Sequence, residues 1–148
     1  MTDTSTPPGF VPTGDIGGFH GHIGPFFMSS DGPPWRMGLH LTDRHTNPHG
    51  VADGGLLMSL ADHLIGMTIF RSVENGTQAV TISLNSDFLG AGRVGDWIEG
   101  SAFITRKTRE LIFARAEIAC ARNPILAVSG VWKIVASRQL RGGAAAAI

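Results

Sequence analysis

Two features of the stretch NPHGVADGGLLMSLADHLIG, residues 47–66, could do chemistry: the glycine pair Gly54 and Gly55, and one carboxylate, Asp62, inside an otherwise apolar run. Glycines that open a helix leave its first amides uncovered, and with the helix dipole behind them those N–H groups can donate to an oxygen that is gaining negative charge. A carboxylate kept from water is a stronger base or nucleophile than a free one. An oxyanion donor and a base together suggest acyl transfer. Each feature also has a plainer reading: the glycines as a turn into the helix, and Asp62 as a solvated or locally satisfied residue.

The helix itself sharpens the choice. At about 100° per residue, Leu57, Leu60, Ala61, Leu64 and Thr68 gather on one side, the stripe a sheet would cover. Gly55, Ser59, Asp62 and Gly66 fill the opposite side, a row of small residues that lets a ligand or another protein surface come close. A solvated face normally carries several charges, and here only His63 adjoins Asp62. Gly54 and Asp62 are separated by about 12 Å along one helix at 1.5 Å per residue, whereas two groups acting on one carbonyl must each approach it to about 3 to 3.5 Å. If the two cooperate, they come from different subunits whose helices run antiparallel.

Positioning these groups requires a scaffold. Residues 36–41 read as a first strand, followed by a Pro/Gly/Asn-rich loop over 43–53 and then the helix, which ends near Arg71. Val80, Ile82, Leu84 and Phe88 alternate with Thr81, Ser83, Asn85 and Asp87, the period-two signature of a strand with one face on a core. Ile98, Ala102 and Ile104 repeat the pattern, as do Ile112, Ala114, Ala116 and Ile118, then Leu126, Val128, Trp132 and Ile134, with GAGRVGD, RKTRE and ARNP as turns between them. One long helix followed by an antiparallel meander with short hairpins is an α+β layout. Residues 1–18, rich in Thr, Pro and Gly, are expected to be a loosely held lead, 19–137 a single domain, and 138–148 a low-complexity tail.

Composition excludes several classes. The 148 residues carry 12 acids and 12 Lys plus Arg, so neither a nucleic acid nor a strongly basic partner is indicated. The lone Cys120 cannot form an internal disulfide, and the opening MTDTSTPPG is acidic where a signal peptide would be basic, so a cytoplasmic setting is expected. The most apolar run, 54–70, is too short for a membrane span and is interrupted by Asp62 and His63.

The segment N-x-x-G-x-x-D-G-G, followed by the aspartate of LAD, resembles the signature of hotdog-fold acyl-CoA thioesterases of the phenylacetate-pathway and 4-hydroxybenzoyl-CoA kind. The resemblance covers residues 24–136 and includes TISLNSDFL and GDWIEGSAFITR. It implies a long central helix wrapped by an antiparallel sheet that continues across a homodimer, often with dimers pairing into a homotetramer. It also implies an acyl-CoA substrate, with coenzyme A entering only as part of that substrate and no separate cofactor. Carried over by position, Asp62 falls on the catalytic carboxylate, acting as nucleophile or as general base on water. Gly54 falls on the amide that polarises the thioester carbonyl, Asn47 on a position that orients water or substrate, and Thr81 on a hydroxyl that supports the acid. Asp53 departs from the pattern, because most relatives have histidine before the two glycines. A second carboxylate beside Gly55 in the substrate-binding region would repel an anionic substrate or disfavour ionisation of Asp62.

Other constellations carry less. The spacing His45-x-x-x-His49-x-x-x-Asp53 would align metal ligands on a helix, but Pro48 and Gly50 make a helix there improbable, and no metal is expected. His20 and His22 read as loop residues. Arg106, Lys107 and Arg109, with Arg93 in a neighbouring loop, are candidates for the phosphates of coenzyme A or simply solvated hairpin tips. Two alternatives to hydrolysis remain: a hotdog enoyl-CoA hydratase or dehydratase, which typically needs a histidine beside the acid, and a non-catalytic acyl-CoA-binding protein.

Overall fold

The computed structural model describes residues 5–73 and 77–136. In chain order the elements are β1 (Phe10–Pro12), α1 (Gly18–Ile23), β2 (Phe27–Ser29), β3 (Arg36–His40), a 3-10 turn at Asp43–His45, α2 (Gly54–Phe70), β4 (Thr77–Phe88), β5 (Trp97–Lys107), β6 (Leu111–Cys120) and β7 (Asn123–Ala136). Among the described residues the strands form one antiparallel sheet in the order β1-β2-β3-β5-β6-β7-β4, wrapped around α2.

The helix forms where the sequence places it, because a polar cap and an apolar stripe coincide. Asp53 is its N-cap, and its side chain accepts from the Gly55 amide at 2.8 Å. Leu57, Leu60, Ala61 and Leu64 are buried on the predicted stripe, with Leu56, Ile65 and Ile69 beside them. They pack on Met37, Leu39, Ile98, Ile112, Ile118, Leu126 and Trp132 from the concave face of the sheet. Each such aliphatic side chain contributes about 1.5 to 3 kcal/mol by leaving water. Gly55, Ser59, Asp62 and Gly66 stay uncovered or half-buried, so α2 has one open window and it is the small-residue face.

Three expectations are corrected. Residues 10–12 of the segment read as a loose lead form a strand: Phe10–Pro12 pair with Phe27–Ser29, and Phe10 is buried. An edge-on contact between Phe10 and Trp97, with ring centroids 5.1 Å apart, ties the segment to the outer face of the sheet. The strands after α2 are not a simple meander, because β4 pairs with β7 instead of its successor β5. The segment GAGRVGD is therefore a crossover spanning the sheet, and only β5, β6 and β7 follow one another through hairpins. The tail over 138–148 lies outside the described residues.

The third correction concerns the phase of β4. Its register with β7 shifts between Thr81 and Ser83, so Ile82 is an extra residue in a β-bulge. Residues paired across an antiparallel ladder point to the same face. Before the bulge, Ala79 and Thr81 oppose Ile134 and Trp132; after it, Leu84, Ser86 and Phe88 oppose Gly130, Val128 and Leu126. Strict alternation over the whole strand would have put Thr81 opposite in face to Leu84 and Phe88. The bulge puts all three on the concave side, where Ala79 and Leu84 pack against the core while Ile82 is left 57% exposed.

Candidate active site

That change of phase creates the site. Thr81 now faces α2, and its Oγ1 donates to Oδ1 of Asp62 at 2.8 Å. Asp62 is half-buried, and no described residue bonds its Oδ2, which is free to meet a reactant at the open window of the helix. A hydrogen bond from a neutral donor to a carboxylate fixes the acid's orientation without removing its charge.

At the other end of α2, the loop before Gly54 is held by its own backbone. The Asn47 amide donates to the Val51 carbonyl at 2.8 Å, the Gly50 amide to the Asn47 carbonyl at 2.9 Å, and the Asp53 amide to the His45 carbonyl at 2.9 Å. The Asn47 side-chain oxygen accepts from the His49 amide at 2.9 Å, which leaves the NH₂ group of Asn47 as its remaining donor. His45 anchors the loop: its Nδ1 accepts from the Thr42 amide at 3.0 Å, and Nε2 lies 3.0 Å from the Ile23 carbonyl, to which it donates when neutral. Burial above all, then the Arg44 guanidinium, lowers the His45 pKa from its usual value, keeping the ring neutral as that geometry requires.

Asp53 spends its carboxylate on the cap. It takes the Gly55 amide, while the Gly54 amide has no hydrogen-bond partner among the described residues. Gly54 also needs to be glycine: a Cβ there would lie 3.1 Å from Cε1 and 3.3 Å from Cζ of Phe88, whose ring rests on the first turn.

A third cluster borders Asp62. The His63 ring stacks on His20 of α1 at 4.2 Å between centroids and lies 5.9 Å from the Phe26 ring. Burial, followed by the nearby His20, lowers the His63 pKa to about 4, against a smaller opposing pull from Asp62. His63 is therefore a neutral packing residue at neutral pH.

The predicted site residues fall into separate groups. Asp62 and Thr81 meet; Asp53 and Gly55 meet; Asn47 and Gly54 share the loop-to-helix junction. Within one chain Gly54 and Asp62 remain about 12 Å apart along α2. Arg93 is exposed in the β4–β5 crossover, next to Gly92, whose carbonyl accepts from the Ala52 amide at 2.8 Å, so it neighbours the Gly54 end. Arg106, Lys107 and Arg109 sit exposed at the β5–β6 hairpin. Lys107 is in register with Ile112, Trp132 and then Thr81, three strands away, or about 14 Å at 4.8 Å per strand. Sequence reasoning missed α1 and the anchoring work of His45, which had registered only as a metal ligand. Among the described residues no group of three His, Cys, Asp or Glu side chains is placed to hold a metal ion. No helix among them is long and apolar enough to cross a membrane.

A long helix wrapped by an antiparallel sheet, with an acid on its open face and the free Gly54 amide at its start, is the hotdog architecture of thioester hydrolases. A family model described as the thioesterase superfamily matches residues 49–125. A Pseudomonas aeruginosa protein provisionally named an esterase is 32% identical over 131 residues, spanning 88% of this chain and 98% of that one. Acyl-coenzyme A thioesterase 13 of Mus musculus is 26% identical over 80 residues, 54% of this chain and 56% of that protein. A Bacillus halodurans protein solved with CoA superposes with a TM-score of 0.66 at 21% identity, covering 70% of this chain and 69% of that one. The chain belongs to the thioesterase superfamily.

Proposed function

We propose that the protein hydrolyses an acyl-CoA thioester to a free carboxylic acid and coenzyme A at a site that two copies build together. The observation that carries this reading is the 2.8 Å bond from Thr81 to Asp62 on the open face of α2, with Oδ2 left for a reactant. Asp62 takes a proton from water as the water oxygen bonds to the carbonyl carbon, and the Gly54 amide of the facing copy holds the resulting oxyanion. Collapse breaks the C–S bond, and the proton passes to the leaving sulfur. Direct attack by Asp62 gives the same products through an anhydride that water then opens. Asn47, at the same junction as Gly54, directs its free NH₂ at water or substrate. The name of the mouse relative and the CoA held by the Bacillus protein support the choice of substrate. Arg93, Arg106, Lys107 and Arg109 are the side chains we assign to the phosphates of coenzyme A.

The dimer in this reading joins through β4. One side of β4 is paired with β7, and its other edge is open and carries the exposed apolar Val80 and Ile82. Such an edge is a template for a second copy, giving a continuous sheet, with dimers pairing into a tetramer in the cytoplasm. The hydratase alternative asks for a histidine beside the acid, and His63 instead faces His20 and Phe26.

Release of free thiol over a panel of acyl-CoAs, with Asp62→Asn and Asp62→Ala beside the wild type, tests the activity; turnover unaffected by both variants removes Asp62 from the mechanism. Absence of thiol release by a wild type that binds the ligand tightly would favour the non-catalytic binder. Sharing of the site has its own test. Gly54→Pro deletes the donor amide at a first helical position whose backbone accepts proline, and the Phe88 ring, which a Cβ at 54 would approach to 3.1 Å, has to turn aside for it. Mixed in equal parts and reassociated, inactive Asp62→Asn and Gly54→Pro chains should recover about a quarter of wild-type activity, since half the dimers are mixed and each holds one intact site. A site within one chain recovers none.

A further inference from the structure

We propose that the far end of α2 carries a second small-molecule site, built around Arg71, for a monocarboxylic acid with an apolar body. Strand β3 starts at Arg36, opposite Ser101, so β5 runs on beyond it with no strand against that edge. The end of α2 stands over the gap, and residues 33–35, which lead into β3, close its third side. What remains is a groove of about 600 Å³, within the range that holds a small organic ligand. Its walls are mostly carbon, supplied by Pro33, Pro34, Trp35, Phe103 and Ile104. The groove is remote from the candidate active site. Thr68 and Arg71 lie about 9 and 14 Å past Asp62 along the helix axis, on the side turned to the sheet, with buried Ile65 and Ile69 between.

The polar groups of the groove narrow the ligand. Thr68 Oγ1 donates to the Leu64 carbonyl at 2.9 Å and Ser72 Oγ to the Ile69 carbonyl at 2.8 Å, so neither hydroxyl has a proton to offer. The side-chain donors left are the Trp35 indole and the Arg71 guanidinium, which lies over the Trp35 ring at 3.9 Å from its centroid. That contact holds the cation at the rim while its N–H edges stay open. Among the described residues no carboxylate comes within ion-pair distance of Arg71, whereas Arg36 has two, Asp31 and Glu99. A cation also suits the end of a helix, but that task needs no apolar groove beside it. One fixed guanidinium matches one carboxylate through two parallel hydrogen bonds, and a diphosphate would call for further cations. The carbon walls then ask for an apolar body on that carboxylate. Thioester hydrolysis releases acids of this class, yet the chemistry of the groove does not depend on that reaction.

Calorimetry with decanoate, decanol and acetate on wild type, Arg71→Gln, Arg71→Lys and Phe103→Glu tests the site, with and without a non-hydrolysable acyl-CoA thioether. One decanoate should bind per wild-type chain whether or not the thioether is present. Arg71→Gln should weaken it by about tenfold, and Arg71→Lys by less. Phe103→Glu leaves Arg71 in place and sets a like charge in the groove, so it should weaken decanoate as well. Decanol should bind wild type and Arg71→Gln alike, and acetate should bind neither. Loss of decanoate by an Arg71→Gln chain that still releases thiol at the wild-type rate separates the groove from the catalytic site. Decanoate displaced by the thioether would overturn the proposal, because it marks product binding beside Asp62. So would equal affinity of wild type and Arg71→Gln for decanoate. Absence of decanoate binding to the wild type sinks it too, since another occupant, such as a second copy of the chain, then fills the groove.

Discussion

The two ends of α2 are built by different means. At the Gly54 end, backbone groups do nearly everything: the loop bonds to itself through Asn47, Gly50 and Val51, His45 locks it to residues 23 and 42, and Asp53 caps the first turn. At the Asp62 end, one side-chain bond to Thr81 carries the arrangement, and that bond exists because a bulge has re-aimed the strand. An end held by several backbone bonds keeps a donor rigid; an end held by one side-chain bond can be dismantled one atom at a time. The contrast suits a site in which amides must stay still and an acid must exchange protons.

Breaking the acid end should have the largest effect. Asp62→Asn keeps size and shape and removes the base we propose, and kcat should fall by about 10² to 10⁴-fold, the range for a positioned acid or base. KM for a substrate that is hydrolysed at all should change much less, because the lost interaction belongs to the transition state. Circular dichroism of the variant should match the wild type, since Asp62 sits on the open face of the helix and not in the core.

Next in size is the response to acid of the His63 cluster at that same end. The folded-state pKa of about 4 lies below the ordinary 6.5, so the unfolded chain binds the proton first. Stability is whole above about pH 6.5, declines as pH falls towards 4, and levels off below that. Each pK unit is worth about 1.4 kcal/mol, and with a half-buried ring the loss from His63 should come to about 2 kcal/mol. Buried His45 adds to the same trend from the other end of α2. His63→Phe keeps a ring against His20 and Phe26 and removes the titration, so its thermal midpoint should fall less than that of the wild type between pH 7 and pH 4.5. Identical slopes for the two proteins would assign the acid sensitivity to His45 or elsewhere.

The comparison also explains what could be read in advance. Element positions were legible because the four long strands alternate and α2 is one continuous apolar run, and the open face of α2 follows from its small residues; that Asp53 and not a glycine caps the helix was missed, because the carboxylate had been read only as a neighbour of the substrate. The pairing of β4 with β7 was not legible, since pattern fixes which residues face a core but not which strand is the neighbour. The bulge at Ile82 left no mark either. An isoleucine between Thr81 and Ser83 continues the alternation perfectly, and only the competition between packing Leu84 inward and meeting Asp62 reveals the phase change. Strand β1 was missed because a three-residue edge strand in a Pro- and Gly-rich segment has no period to detect. The resemblance placed Thr81 near the acid, while alternation put it on the face away from Leu84 and Phe88; the bulge reconciles the two.

Thr81 sharpens the contrast at a smaller scale. Thr81→Val removes the hydroxyl and keeps the β-branched shape, so the sheet should be unaffected and the acid should lose its orientation. A hydrogen bond to a charged group is worth about 1.5 to 3 kcal/mol, and with water able to replace part of it at this half-open position kcat should fall by about tenfold. Thr81→Ser should restore most of the loss. A serine variant as poor as valine would mean that the methyl group, not the hydroxyl, positions Asp62.

The smallest effect should come from the backbone-built end, and it separates two roles of Asp53. As an N-cap, its carboxylate serves the Gly55 amide, a task asparagine performs equally well; alanine should cost about 1 kcal/mol of stability, read as a lower thermal or urea midpoint. As a charge, it stands next to the Gly54 amide that we assign to the substrate carbonyl, where an anion would be repelled. Asp53→Asn removes the charge and keeps the cap, so the unfolding midpoint should hold while KM for acyl-CoA falls by a few-fold, more at low salt than at high. If Asp53→Asn and Asp53→Ala shift KM alike but only alanine lowers the midpoint, the carboxylate works against substrate binding and for the helix at the same time. A KM that tracks the midpoint instead would mean that the cap alone matters, through the rigidity it gives the Gly54 amide.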